Sequence, residues 1–196
     1  MSLKNKYSKC VLEVGTDEAG RGCLSGPVVA AAVILPKEFK HPLLNDSKKL
    51  TERQRKSIRP VIEQQALAYG IGVVGEEEID RINILQASIL AMHKSIDQIK
   101  LLPEFIIVDG NKFKPYKDIP FKTIVKGDAK YMSIAAASVL AKTYRDDLME
   151  KLHREYPCFN WQKNKGYPTK EHRNAIRKHG SSVYHRKTFQ LLPKEH

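Results

Sequence analysis

The sequence predicts an α/β domain, and three observations carry that prediction. Apolar runs of strand length alternate with stretches whose apolar residues recur every three or four positions. One run, Val28–Leu35, is apolar throughout and fenced by Pro27 and Pro36, as expected of a strand buried on both faces. The acids Asp17, Glu18, Asp109 and Asp128 each fall where an apolar strand gives out, and open α/β sheets place their sites at strand ends.

Taken in order, Val11–Thr16 reads as a first strand and Val28–Leu35 as a second. Asn45-Asp46-Ser47 is turn chemistry. Thr51 with Gln54 resembles a capping box, opening a helix that runs to about Gln65, with Pro60 expected to kink or split it. Ala66–Val74 is a third strand, weakened by Gly70 and Gly72. Ile82, Leu85, Ile89, Met92, Ile96 and Ile99 step at the helical period, and Pro103 follows their end. Phe105–Val108 is a short buried strand ending at Asp109-Gly110, and Phe121–Val125 is another, ending at Lys126-Gly127-Asp128. Ile134, Ala137, Ala141, Leu148 and Leu152 mark one face of a long helix from Tyr131 to Glu155. Its Ala135–Ala137 start allows close approach to a sheet. A last helix spans Lys170–His179 and is stopped by Gly180. No repeat, low-complexity tract or flexible linker interrupts the chain. Residues 1–196 read as a single domain, with about 156–196 as a basic, aromatic-rich extension packed on it.

Lys and Arg number 34 against 22 Asp and Glu, a formal charge of +12 in 196 residues. Of that excess, +8 lies in residues 151–196, where 11 Lys and Arg face 3 Glu. Tyr156, Phe159, Trp161, Tyr167, Tyr184 and Phe189 are interleaved with those bases. Such an excess favours a polyanionic partner and says nothing about the fold. The longest apolar run has eight residues, short of the roughly 18 that suggest a spanning helix. No charged start with a following apolar stretch marks a secretory signal. Cys10, Cys23 and Cys158 are widely spaced and form no C-x-x-C pair. They fit a reducing compartment better than a disulfide framework or a metal site, so a cytoplasmic location is expected.

Any one of the four acids alone is equally a helix cap, a turn former or an ion-pair partner. Together, each just after an apolar strand in a basic protein, they point to a hard cation. Convergent carboxylates repel and raise one another's pKa unless something positive sits among them. An all-oxygen cluster suits Mg²⁺ or Mn²⁺. Two such ions roughly 4 Å apart activate a water and steady the leaving oxygen of a phosphoryl displacement. Asp17 and Glu18 are adjacent, so on a regular strand they face opposite ways. Both can serve only if the strand breaks there, and Ala19-Gly20-Arg21-Gly22 makes such a break plausible.

At this point the residues resemble a known family. Asp17-Glu18-Ala19-Gly20-Arg21-Gly22, Asn45-Asp46-Ser47-Lys48-Lys49-Leu50, Val108-Asp109-Gly110-Asn111 and Lys126-Gly127-Asp128 are similar to motifs of type-2 ribonuclease H, specifically bacterial ribonuclease HII. Ser133-Ile134-Ala135-Ala136-Ala137-Ser138, Lys142 with Arg145-Asp146, Lys165-Gly166-Tyr167-Pro168-Thr169 and His185-Arg186 fit as well, in order along nearly the whole chain. The resemblance implies a ribonuclease-H-like fold, a mixed five-stranded sheet flanked by helices. It implies endonucleolytic cleavage of RNA paired with DNA, with Mg²⁺ or Mn²⁺, leaving a 3′-hydroxyl and a 5′-phosphate. By position, Asp17, Glu18, Asp109 and Asp128 are then the catalytic metal ligands. Gly20, Arg21 and Gly22 match the loop that reads the ribose 2′-hydroxyl, and Tyr167 matches the tyrosine that packs on the next, deoxy sugar. The 2′-hydroxyl is what distinguishes RNA from DNA, so this pair permits a nick at a single ribonucleotide in duplex DNA. No long N-terminal platform of the type-3 relative is expected. A replication clamp is a candidate partner on family grounds alone; residues 190–196 carry no motif that supports it.

Lys48, Lys49, Lys126 and Lys142 are candidate phosphate contacts, each of which would add salt-sensitive affinity; solvated lysines are the alternative. Asp146 reads as an ion-pair partner of Arg145 or a neighbour. His93, His153 and His172 read as surface or satisfied histidines, and His185 as a better candidate for substrate contact. A hypothesis of a different class is a non-catalytic RNA- or hybrid-binding protein that uses the basic, aromatic extension. Nothing in the sequence demands more than a monomer.

Overall fold

The computed structural model describes residues 3–44 and 50–193. Strands β1 (Glu13–Ala19), β2 (Val28–Ile34), β3 (Ala68–Val74), β4 (Phe105–Asp109) and β5 (Phe121–Ile124) form one sheet in the order β3-β2-β1-β4-β5. β1, β2 and β3 pair antiparallel, and β1, β4 and β5 pair parallel. The expected mixed five-stranded sheet is therefore present. Helices α1 (Glu52–Gln65) and α2 (Glu76–Asp97) and the long α3 (Met132–Glu155) flank it, and the short α4 (Trp161–Asn164) and α5 (Lys170–His179) belong to the C-terminal extension.

β2 is buried at every position and divides its side chains between two cores. Ala31 and Val33 face α1 and α3 through Ile58, Ile62, Ala135, Ala136, Val139 and Leu140. Ala30, Ala32 and Ile34 face α2 through Ile79, Ala87, Ala91, Met92 and Ile96. This two-sided packing is why the strand shows no apolar–polar alternation.

Two local expectations change. Pro60 does not split α1, which runs unbroken from its Thr51 capping box, with Ile58 and Ile62 on either side of the proline both buried. α2 begins before the periodic run suggests, and it bends at Asn83, whose φ of 67° lies outside helical space. Asn83 Oδ1 accepts from the backbone N–H groups of Leu85 and Gln86, which re-caps the helix after the bend.

Gly70 and Gly72 are not weak points of β3 but the places where α2 touches it. A Cβ on Gly70 would lie 2.1 Å from the Ser95 carbonyl oxygen, and one on Gly72 would lie 2.0 Å from that of Ala91. Gly15 of β1 meets the start of α3 in the same way, with a Cβ 2.5 Å from the Ile134 nitrogen. Gly70→Ala should therefore destabilise the fold by about 2 kcal/mol through overpacking, read as a lowered midpoint in urea unfolding with the slope unchanged.

Candidate active site

The parallel pairing of β1 with β4 sets the centre of the site. Thr16 pairs with Val108, so Asp17 and Asp109, one residue further along each strand, stand side by side. By strand alternation both point to the α3 side, away from Val14, Ile106 and Val108 in the α2 core. Asp17 is buried, its carboxylate takes a hydrogen bond from Ser138 on α3, and the Lys142 ammonium lies near it. Lys142 Nζ donates to Ser138 Oγ at 2.6 Å, linking the three groups. Burial first, then the charges of Glu18 and Asp109, push the Asp17 carboxyl up to about 8. Asp109 Oδ1 accepts the Gly127 backbone N–H at 2.6 Å, which brings in the 3-10 turn Gly127–Ala129 after β5 and its buried Asp128. Lys126 enters that turn with φ of 56°.

Glu18 differs from the expectation. β1 does not break between Asp17 and Glu18 but continues to Ala19, so the two acids leave the strand on opposite sides; the Glu18 carboxylate nevertheless stays close enough to Asp17 to raise it, so a shared site does not require the break. Glu18 still feels Asp109, and burial pushes its carboxyl upward, opposed by the adjacent Arg21. Arg21 Nη1 donates to Glu18 Oε1 at 3.0 Å. Among the described residues no three His, Cys, Asp or Glu side chains are arranged so as to hold a metal ion between them as they stand. The all-oxygen donor set, the buried Asp17 and the charges of the half-buried Glu18 and Asp109 beside it nevertheless fit a divalent ion: a cation among them is what would keep Asp17 ionised at neutral pH.

The break comes at Gly20, with φ of 97°, where a Cβ would lie 2.1 Å from Arg145 Nε. Gly22 is different: its φ is unexceptional and nothing lies within 4 Å of an added Cβ, so the fold itself does not require glycine there. Beneath this loop lie two fully buried arginines. Arg186 donates to the carbonyls of Gly20 (2.8 Å), Arg21 (3.0 Å) and Gly26 (2.7 Å). Arg145 donates to those of Ser25 (3.1 Å), Pro27 (2.9 Å) and Lys165 (2.7 Å). Both residues belong to motifs named above, yet their part in building the loop was not foreseen. An arginine whose guanidinium meets only main-chain oxygens has no signature in a single sequence.

Lys165, with φ of 50°, and Gly166 then deliver Tyr167 to the rim beside the loop, and Leu24 N–H donates to the Gly166 carbonyl at 2.8 Å. Tyr167 is 49% exposed, its hydroxyl is close to the Cys23 thiol, and partial burial pushes its pKa upward. Asp146 pairs with Arg55 at 4.0 Å, a neighbour as expected. Lys48 and Lys49 lie outside the described residues. His185 is no substrate contact: it is 1% exposed and packed against Phe159, Trp161 and His172. Of the other aromatics of the extension, Phe159 and Trp161 are buried against each other, and the partly buried Tyr156, Tyr184 and Phe189 pack on them. No helix among the described residues is long and apolar enough to cross a membrane.

A mixed sheet whose parallel central pair carries buried acids at its end defines a class, the ribonuclease-H-like enzymes. The comparisons narrow it. The ribonuclease HII family model matches residues 14–192. Ribonuclease HII of Bacteroides thetaiotaomicron is 63% identical over 185 residues, 94% of this chain and 92% of that protein. The crystal structure of ribonuclease H2 from Pyrococcus horikoshii superposes with a TM-score of 0.76 at 25% identity, covering 91% of this chain and 94% of the other. RNase HII of Archaeoglobus fulgidus, solved as a complex with PCNA, gives a TM-score of 0.77 at 24% identity over 94% and 98%. The chain belongs to the ribonuclease HII family. It is accordingly an endoribonuclease that cleaves RNA in RNA–DNA hybrids with divalent metal ions.

Arg186→Met removes the donors to three buried carbonyls while keeping the stem's packing. It should cost about 3 kcal/mol of stability and lower cleavage further by loosening the loop, measured by thermal unfolding and by activity at a temperature where the variant is still folded.

Proposed function

We propose that Asp17, Glu18, Asp109 and Asp128 hold the divalent ions, Mg²⁺ or Mn²⁺, and that the enzyme nicks on the 5′ side of a ribonucleotide, including a single one in duplex DNA, leaving 3′-hydroxyl and 5′-phosphate ends. The observation that carries this reading is the side-by-side placement of the buried Asp17 and the half-buried Asp109, with Lys142 as the cation near Asp17. Bound there, a divalent ion supplies an activated water and charge for the leaving oxygen. The chain's own groups do the rest. The Lys142–Ser138 link orients the Asp17 carboxylate, which makes Lys142 a site lysine as well as a candidate phosphate contact. Arg21 holds Glu18 at the mouth.

The loop at Gly20, Arg21 and Gly22 faces the ribose 2′-hydroxyl in this reading. The open space before Gly22 supports it, because a sugar–phosphate can approach main chain there without meeting a side chain. Tyr167, exposed on the adjoining rim, packs on the next, deoxy sugar, where an added hydroxyl would clash. The substrate's negative charge meets a chain of +12, so binding weakens as salt rises. The enzyme works as one domain and one copy in the cytoplasm. A purely binding protein is disfavoured, because apart from Tyr167 the extension's aromatics pack on one another and a binder of polyanions gains nothing from gathering acids at its groove.

The test is an end-labelled DNA duplex with one ribonucleotide, incubated with Mg²⁺, Mn²⁺ or EDTA beside an all-DNA control. A metal-dependent nick 5′ of the ribonucleotide, with the control intact, is expected. Equal cutting of the control would remove the sugar-reading role of the loop. Asp17→Asn should lower turnover by roughly 10³-fold, about 4 kcal/mol of transition-state stabilisation, while duplex binding is kept or tightened. Tyr167→Ala should slow cleavage at the single ribonucleotide about 10-fold, near 1.4 kcal/mol, with a smaller loss in duplex affinity.

A further inference from the structure

A buried row of hydrogen bonds under the extension ends at the main chain of Tyr167. The Ser182 backbone N–H donates to His185 Nδ1 at 2.9 Å. A backbone N–H can only donate, so His185 Nδ1 carries no proton and the ring's hydrogen sits on Nε2. That nitrogen faces His172 Nε2 at 3.1 Å. Trp161 Nε1–H, also a donor only, points at the same His172 nitrogen from 3.0 Å. His172 Nε2 is therefore an acceptor, and its proton sits on Nδ1, 2.9 Å from the Tyr167 carbonyl oxygen.

A second proton on either ring would set N–H against N–H inside a cluster where both histidines are almost fully buried. Burial accordingly pulls both imidazoles below their ordinary range, His185 to about 4. The Tyr167 peptide is fixed from other directions too: its carbonyl takes the Thr169 N–H at 2.8 Å and its N–H donates to the Asn164 carbonyl at 2.9 Å. The ring itself stays half exposed. Its place on the rim is thus set through the main chain, from below.

We propose that His172 is a positioning residue for Tyr167, held in its Nδ1–H tautomer by Trp161 and by the Ser182–His185 pair. The inference rests on the reading of Tyr167 as the residue that faces the substrate sugar. His172 touches no substrate, and its effect is on the geometry with which Tyr167 meets the sugar.

Two substitutions separate the halves of the ring. An Asn at 172 offers an amide donor near the place of Nδ1, and a Gln offers an acceptor near that of Nε2. On the single-ribonucleotide duplex, His172→Gln should lower kcat about 10-fold with KM little changed. His172→Asn should recover most of that loss, even though it disturbs Trp161. In a Tyr167→Ala background, His172→Gln should add nothing. A larger loss in His172→Asn than in His172→Gln, or a His172→Gln loss that persists without the Tyr167 ring, would overturn the proposal. Imidazole ¹⁵N shifts at pH 7 supply a readout independent of cleavage. Nδ1–H on His172 and Nε2–H on His185 are expected, and an imidazolium or the opposite tautomers would overturn it. If Tyr167→Ala cleaves like the parent while these tautomers are found, the reading of Tyr167 has failed and the hydrogen-bond row has not.

Discussion

A carboxylate taken out of water beside other negative charges is costly twice over, and much of this site is organised around that cost at Asp17. Parallel pairing brings Asp17 and Asp109 to adjacent strand ends, and α3 closes over them with Ser138 and Lys142. The Gly127 amide occupies one oxygen of Asp109, and Arg21 draws Glu18 aside. Each neighbour relieves part of the strain, yet none cancels it: burial first, and then the charges of Glu18 and Asp109, keep the Asp17 carboxyl raised. A fold arranged this way keeps an unsatisfied appetite for positive charge. That is a useful property in an enzyme whose family works with divalent ions, and a poor one in a protein that merely binds polyanions.

The sheet and the loop answer different needs. The sheet places the acids through register, and its tolerance is small: Gly15, Gly70 and Gly72 leave no room for a methyl group between strand and helix. The loop after β1 is placed by Arg145 and Arg186, whose guanidiniums take up main-chain oxygens from Gly20 to Pro27 and at Lys165. Two buried cations with no carboxylate in direct contact among the described residues are costly, and although Glu76 and Asp80 act on Arg186 from a distance, desolvation lowers its pKa to about 10. Their many carbonyl contacts offset that cost and leave the loop a rigid shelf.

Much of this was legible in the sequence, for identifiable reasons. The doubly buried β2 and the long α3 follow from apolar run and period alone, and the four acids announce themselves by following strands. The motifs add the family. What was not legible depends on contacts distant in sequence. Whether Asp17 and Glu18 share a face turns on where β1 ends, which Gly20 decides only through its meeting with Arg145. His185 looked like a substrate contact because a histidine beside an arginine in a basic segment is usually exposed; the aromatic cluster that encloses it cannot be seen from its neighbours in the chain. The glycines of β3 looked like weaknesses because the helix they admit is some twenty residues away.

The supports of the Gly20–Gly26 loop come from residues 145, 165 and 186, up to 166 positions later in the chain. The acids and their α3 partners, by contrast, are all present once Lys142 has been made. A chain growing from its N-terminus therefore contains the acids and their α3 partners well before it contains Arg186, which completes the support of the loop. In the order of synthesis the acids come first and the last support of the loop comes some forty residues after α3's Lys142, so the loop takes its final shape only when nearly the whole chain is present.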